Sequence, residues 1–509
     1  MSNKRIIQNT LALYARQVVI VLINLYALRV VLNALGIEGY GIYSVVSGFV
    51  TLLTFLPGTL ASATQRYFSF AIGQGDTTKL KETFSVNWLM YAAIALLALI
   101  VLQTLGLWFV TEHLNIPNER TTAAIGLYHL VALSFVASIF ASPFMAILIA
   151  HEDMHLYALI SVIEAALKLL AAWVLVYATG DPLATYGLFL LISSLFTTAA
   201  YILICVKKYD ECQFRKIYWN KALLLEILGF TGWTLFGQLS TVLRTQAVTV
   251  LINQLFNPTT VAARAIALNV ASQVMVFSSN LNTGLYPPII KSYAANQKAD
   301  MFSLILNGSK LTFFLMWVFA LPMLIEMEAI LTLWLKTPPP EAVVFTQLAL
   351  VESLILSFSL PLATAARAPG KMRLYELSLG CIQIAIFGAS WLVLKAGYSA
   401  ASVFTVAIIA NLLMFKVRLV IVKALIDFPM RPYYSKVLAP ITMIIIISSI
   451  PGIALNRWLP ESLYASALVI AVSMLGATLC MYYIGLDRTW RLKIKQLLIS
   501  RFFKARGHA

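Results

Sequence analysis

The stretch Leu13–Gly36, LYARQVVIVLINLYALRVVLNALG, decides the fold. It is as long as the ~20 apolar residues that cross a bilayer core, yet it holds Arg16 and Arg29 and no acid. Outward from it, similar runs recur along the whole chain. Of its 509 residues 60% are hydrophobic and 11% charged, and the mean hydropathy is +0.85. A soluble fold of this size could not hide so much apolar surface. The runs are continuous rather than alternating, which excludes barrel strands and leaves helices, whose backbones satisfy their own hydrogen bonds in lipid. The chain reads as an all-α polytopic membrane protein of about fourteen spans, beginning at roughly 10–33 and 41–70 and ending at 462–486.

Charge sets the topology. The net charge of +16 suggests nucleic acid at first sight, but most of the 37 Lys and Arg residues crowd into alternate loops and the tails. Lys79, Lys81, Lys207, Lys208, Arg215, Lys216, Lys298 and Lys371 are among them, and the opposite loops hold Arg120, Lys336, Lys395 and Arg457. Basic loops stay inside, so both termini are expected in the cytoplasm, with membrane lipids as neighbours and no nucleic-acid partner. Lys4 and Arg5 precede an apolar run too long for a cleaved signal peptide, so it reads as a retained first span. No loop is long enough for a soluble domain. Function therefore lies within the bundle or at its rim.

A weak internal repeat shapes the domain reading. Ser69–Asp76 is SFAIGQGD and Ser292–Asp300 is SYAANQKAD, an offset of 223 that also lays the first span on the seventh. The expected organisation is a six-helix lobe over 1–206, a linker over 207–221, a second six-helix lobe over 222–424, an extra helix pair over 425–486 and a basic tail over 487–509. Parallel repeats of this kind hold substrate between halves in transporters.

Charges inside spans mark candidate sites, because each is costly in lipid. Arg16 and Arg29 lie about 20 Å apart along a straight helix and point roughly 140° apart, so they cannot share one small site unless the helix breaks. They either snorkel to opposite interfaces or form two levels of one cationic cavity. Arg244 and Arg264 are likewise unpaired within their own spans, Glu226 lying nearer the cytoplasmic edge of the first. Four such arginines suit an anionic substrate, since guanidinium donates in pairs to phosphate and keeps its charge when desolvated. Glu164 and Lys168 are four apart on one helical face. They are either a self-neutralising pair or a coupling site. Together with Glu352 and Glu376 they are the candidates for proton or sodium coupling. Polar groups for a sugar are Asn24, Gln238, Gln246, Asn269 and Gln273.

Other motifs dissolve on inspection. His151-Glu152-Asp153-Met154-His155 has the letters of a zinc-protease helix, but it lies in a turn between spans with no third ligand. Ala368-Pro369-Gly370-Lys371 lacks the spacing of a phosphate-binding loop. Cys205, Cys212, Cys381 and Cys480 have neither zinc nor disulfide spacing and read as packing thiols. Pro57-Gly58, Pro143, Pro287-Pro288, Pro322 and Pro361 are expected to kink or break spans. No catalytic residue, metal site or cofactor is expected.

Asn9-Thr10, RVVLNALGIEGYGIYSVVSGF (Arg29–Phe49), LASATQRYFSFAIGQGD (Leu60–Asp76) and AHEDMHLYALISVIEA (Ala150–Ala165) resemble bacterial polysaccharide transporters. These are the O-antigen and capsule flippases of the multidrug/oligosaccharidyl-lipid/polysaccharide exporter superfamily. The resemblance implies two MATE-like six-helix lobes around a cavity and transfer of an undecaprenyl-diphosphate-linked oligosaccharide to the periplasmic leaflet by alternating access. It also implies a bacterial inner (cytoplasmic) membrane as the location, lipopolysaccharide or capsule assembly, with other polysaccharide-assembly proteins as partners, and cavity arginines on the diphosphate. A multidrug or cation antiporter of the same superfamily is the alternative; it would call for acids where the first span offers arginines. A membrane polysaccharide polymerase is a further one, poorly served by the dispersed outer acids Glu38, Glu112, Glu119, Asp181, Glu341 and Glu461.

Overall fold

A computed structural model describes residues 3–51, 53–112, 118–177, 181–460, 462–486 and 491. Fifteen helices organise them: α1 Asn3–Thr51, α2 Phe55–Gln74, α3 Thr77–Glu112, α4 Thr121–Ala150, α5 Met154–Tyr177, α6 Pro182–Lys208, α7 Lys221–Leu255 and α8 Pro258–Ala294. They continue with α9 Lys298–Ile325, α10 Met327–Leu335, α11 Ala342–Arg367, α12 Arg373–Lys395, α13 Ser402–Ile426, α14 Met430–Trp458 and α15 Leu463–Gly485. Among the described residues twelve helices are long and apolar enough to span a bilayer. About fourteen were expected; the first two, read at roughly 10–33 and 41–70, fall on α1 and α2, which are not among the twelve. The fold is all-α, and the protein is a multi-pass membrane protein.

Two boundaries differ from expectation. The second span does not run unbroken over 41–70. α1 continues to Thr51, bending at Gly36 (φ 70°, ψ 174°), and α2 starts afresh at Phe55. Pro57 does not kink a helix here. It sits in the first turn of α2, where its missing N–H leaves no intrahelical bond unmade. The ninth span is likewise split at Glu326, which separates α9 from α10 and accepts a hydrogen bond from Asn456 Nδ2 at 2.7 Å. Pro143, Pro287, Pro288, Pro322 and Pro361 stay inside continuous helices.

The chain forms two compact units. The first holds Met1–Leu239, Thr283–Met301 and Arg367–Leu377. Its centre is α4, whose most apolar stretch is two-thirds buried. Phe68, Phe84, Phe144, Ile147 and Ile160 close a core there with Tyr201, Cys205 and Cys212. The second unit holds Ser240–Asn282, Phe302–Ala366 and Ser378–Ala509. An aromatic chain runs through it, from Phe313 to Phe358 (6.3 Å), Phe415 (5.0 Å) and Tyr433 (6.1 Å), with the Tyr433 hydroxyl donating to Phe358 O. Trp317 Nε1 donates to Ser448 Oγ at 3.0 Å and ties α9 to α14. Outer faces carry Leu96, Leu170, Leu195, Ile409 and Ile446 in the open, the surface a lipid solvent favours.

Candidate functional site

Three polar clusters interrupt this apolar frame. The first is a cavity of ≈350 Å³ in the first unit, lined by α1, α4, α5 and α6 with Pro57 of α2. On α5, Tyr157, Ser161, Glu164 and Lys168 recur at helical spacing and so face it together. Lys168 Nζ donates to Glu164 Oε1 at 2.7 Å, and both side chains stay partly exposed. From α1, Arg16 and Asn24 reach the same cavity. The Arg16 guanidinium lies 4.7 Å over the Tyr157 ring and donates to Ser161 Oγ at 3.5 Å. α4 and α6 supply hydroxyls. Ser138, Ser142, Thr197 and Thr198 donate to helix carbonyls, so toward the cavity they act as acceptors. The chamber combines two cations, one carboxylate and a rim of hydroxyl acceptors. It can hold an anion, or a cation if Glu164 leaves Lys168.

The second cluster lies in the second unit. Arg244 (α7) donates to Glu352 Oε1 (α11) at 3.3 Å, and Asn411 Nδ2 (α13) donates to the same oxygen at 2.9 Å. Buried Arg264 (α8) donates to Thr249 Oγ1. The Nε atoms of Arg244 and Arg264 have no hydrogen-bond partner among the described residues. Arg244 thus has an acid after all, supplied by another span, which reading one span at a time could not show.

The third cluster joins helix ends within the first unit. α2, α4 and α8 all finish in the same left-handed cap, at Gly75 (φ 70°), Glu152 (φ 65°) and Asn296 (φ 56°). In each, one N–H bonds three residues back and the next bonds five back, the pattern that satisfies terminal carbonyls. Gly and Asn suit this backbone; Glu does not. Glu152 holds it while its Oε1 takes a hydrogen bond from Lys291 Nζ at 2.7 Å, with both side chains buried. A carboxylate at that point outweighs the backbone strain. Nearby, buried Arg66 donates to Ala368 O at 2.9 Å, pairs with Glu226 at 3.5 Å and stacks over Tyr67. Gly370 leaves room for its guanidinium, 2.6 Å from where a Cβ would stand. Arg367 Nη1 donates to Ser62 Oγ at 2.8 Å. Gly73 lets α2 approach α8 so closely that a Cβ would lie 2.7 Å from Lys291 O. The two sequence segments of the internal repeat meet here, Phe70 against Tyr293 at 6.4 Å.

The sequence candidates therefore scatter. Arg16, Asn24, Glu164 and Lys168 come together in one cavity. Arg244, Arg264 and Glu352 group in the other unit, where Gln246, Asn269 and Gln273 are exposed. Gln238 is exposed in the first unit, and Glu376 packs against Gly237 there. The side chain of Arg29 lies outside the described residues. His151 serves the α4–α5 turn: its Nε2 is 2.7 Å from Glu211 Oε1 and its ring stacks on Tyr209 at 4.1 Å. Arg66, Lys291 and Arg367 are missing from the sequence candidates. Arg66 stands more than two turns before the Gly75 cap, and that distance is the signal that puts it inside the span.

Comparisons with known proteins agree with the fold. The MatE family model matches residues 234–382. Among solved structures, a multidrug resistance MATE family transporter of the MOP superfamily in an outward-facing conformation aligns over 83% of this chain and 96% of its own. Its TM-score is 0.72 at 14% identity. A MATE in complex with MaD3S aligns over the same shares with a TM-score of 0.73 at 14% identity. A MOP superfamily transporter from Pyrococcus furiosus, described as having a binding pocket of reverse polarity, gives 0.65 at 16% identity over the same shares. No curated protein matches in sequence. The fold is that of the MATE transporters.

Proposed function

We propose that the protein is a secondary transporter, not an enzyme, working by alternating access between two MATE-like lobes in a bacterial inner membrane. The capped helix ends lie on its cytoplasmic side in this reading. One observation carries it: a chain with the MATE transporter fold keeps a polar chamber with an ion pair among membrane helices, where charge is costly without a use. The comparisons favour a multidrug or cation antiporter over a lipid-linked oligosaccharide flippase, since the named neighbours include a multidrug transporter. In that reading Glu164 exchanges Lys168 for a cationic substrate or a proton.

The second reading is favoured by the basic lining. Arg16 and Lys168 outnumber Glu164 in the first chamber, and Arg244 with Arg264 outnumbers Glu352 in the second unit. An anion such as the diphosphate of a lipid-linked glycan, with hydroxyl acceptors for its sugars, fits that balance. A deletion strain decides between them. Increased drug sensitivity with normal lipid-linked glycan pools supports the antiporter. Cytoplasmic-leaflet accumulation of diphosphate-linked oligosaccharide, relieved by wild type but not by Arg16→Ala, supports the flippase. If neither changes, both readings fail.

A further inference from the structure

The loop between α6 and α7 is short, rigidly placed and amphipathic in an unusual way. It is pinned to α3: Tyr218 N donates to Ser85 Oγ at 3.1 Å and Asn220 Nδ2 to Glu82 Oε2 at 2.9 Å. It is anchored to the α4 end through buried Tyr209 and Cys212. Between these anchors it leaves Phe214, Ile217 and Trp219 exposed, at 47%, 62% and 55%. Phe214 is not loose. Its ring packs edge-on against Phe84 (5.6 Å) and Trp88 (5.8 Å). It forms one wall of an apolar cavity of ≈200 Å³ whose other walls include Ser85, Leu89 and Ile217.

Two features say what covers this groove. Its floor continues along α3 as exposed Leu89, Leu96 and Ile100, one helical stripe of the kind that faces acyl chains. Its mouth is basic. Arg215 and Lys216 are exposed beside Phe214, with Lys81 on the groove's own face of α3 and Lys207 and Lys221 on the flanking helices. Of the nearby acids, Glu82 is bonded to Asn220, Glu211 to His151 and Glu226 to Arg66; Asp210 is exposed on the loop, and Asp76 is exposed at the start of α3. An aromatic and basic rim over an apolar slot matches a lipid with an anionic headgroup.

We propose that this groove binds one anionic glycerophospholipid, with the acyl chain along α3 and the phosphate on Arg215 and Lys216. The site is independent of what the transporter carries. The test is native mass spectrometry of the full-length protein in detergent, offered phosphatidylglycerol or phosphatidylcholine of identical chains. The wild type is expected to retain phosphatidylglycerol in roughly tenfold or greater preference, the order two basic contacts supply. Arg215→Gln with Lys216→Gln removes the preference, Ile217→Ser lowers retention of both lipids, and Lys298→Gln in another basic loop changes nothing. Equal retention of the two lipids by the wild type overturns the proposal. So does undiminished preference in the double variant. Self-association abolished by Ile217→Ser, without a lipid adduct, would assign the groove to a second copy and equally overturn it.

Discussion

The first unit contains two Lys–Glu pairs of equal length, 2.7 Å each, that have opposite physical characters. Glu164 and Lys168 sit one turn apart on α5 and open onto the polar chamber, with side-chain exposures of 35% and 46%. Glu152, at the cap of α4, and Lys291, on α8, are far apart in sequence and are sealed, at 7% and 9%. The first pair can exchange partners with whatever enters the chamber, because solvent can replace either member. The second cannot open without leaving a desolvated charge. One pair is fitted to bind; the other is fitted to hold helix ends together. Distance alone does not tell them apart. Burial and the number of helices joined do.

The contrast is broken most directly by removing one charge from each pair. Glu152→Gln leaves the Lys291 ammonium buried and unpaired, and is expected to destabilise by about 3–5 kcal/mol, the cost of breaking a buried pair from one side. Glu152→Gln combined with Lys291→Met is expected to recover most of that loss, since no orphan charge remains. Denaturation of the detergent-solubilised variants measures both. If the single variant is as stable as wild type, the pair is not sealed as described. Glu352→Gln in the second unit is the intermediate case. Arg244 is partly exposed (16%) and reaches more solvent than Lys291, so a loss of about 2–3 kcal/mol is expected, below the fully buried figure. Should it exceed that of Glu152→Gln, exposure is not the governing variable.

A change without charge sharpens the same comparison. Gly73→Ala puts a methyl group 2.7 Å from Lys291 O and 2.8 Å from its Cα. Backbone cannot step aside as a side chain can, so α2 and α8 must part, at about 1–3 kcal/mol. Cysteines placed at Phe70 and Tyr293 should then cross-link more slowly than in the parent. On the open pair, Glu164→Gln is expected to cost about 0–1 kcal/mol, as exposed pairs do, while altering transport. A stability loss as large as that of Glu152→Gln would make Glu164–Lys168 a structural pair.

How much of this was legible beforehand follows from where the information lies. The spans were readable because lipid imposes a composition on any helix that crosses it, and the twelve long apolar helices announce themselves singly. Glu164 and Lys168 were readable for a related reason: i and i+4 share a helix face whatever the tertiary fold. The short resemblance between Ser69–Asp76 and Ser292–Asp300 pointed at helix ends that do end alike. What stayed hidden joins residues far apart in sequence. Glu152 looked like part of a false zinc motif, and only the approach of Lys291, 139 residues later, reveals its use. Arg244 looked unpaired until α11 brought Glu352 to it. Arg66 was absent from the charges singled out inside spans. The Gly75 cap, not hydropathy, fixes how deep it lies. Pro57 misled in the opposite way, since a proline reads as a kink until the helix start is known.

A third pair, Asp153 with Lys208, lies between the two extremes in exposure. At the α4–α5 turn, outside the spans, Asp153 accepts from Lys208 Nζ at 2.9 Å and from the Tyr209 hydroxyl. Burial pushes the Asp153 carboxyl up, but those two hydrogen bonds and the Lys208 charge outweigh it and hold the group below its usual range. Glu211 behaves alike: burial raises it, and the hydrogen bond with His151 wins. A carboxylate lowered in the folded state binds its proton more weakly there than in the unfolded chain. Its contribution is therefore complete above the ordinary carboxylate range, ~4, and is lost as pH falls through that value toward the folded one. Lys208 is 41% exposed, so the effect is smaller than for either charge-removal variant above. Amide exchange of residues 150–154 and 208–212, corrected for intrinsic rates, should accelerate below about pH 4 and be steady from there to neutrality. Asp153→Asn should flatten most of that dependence. If protection instead stays level as pH falls below that value, the carboxylates are passengers.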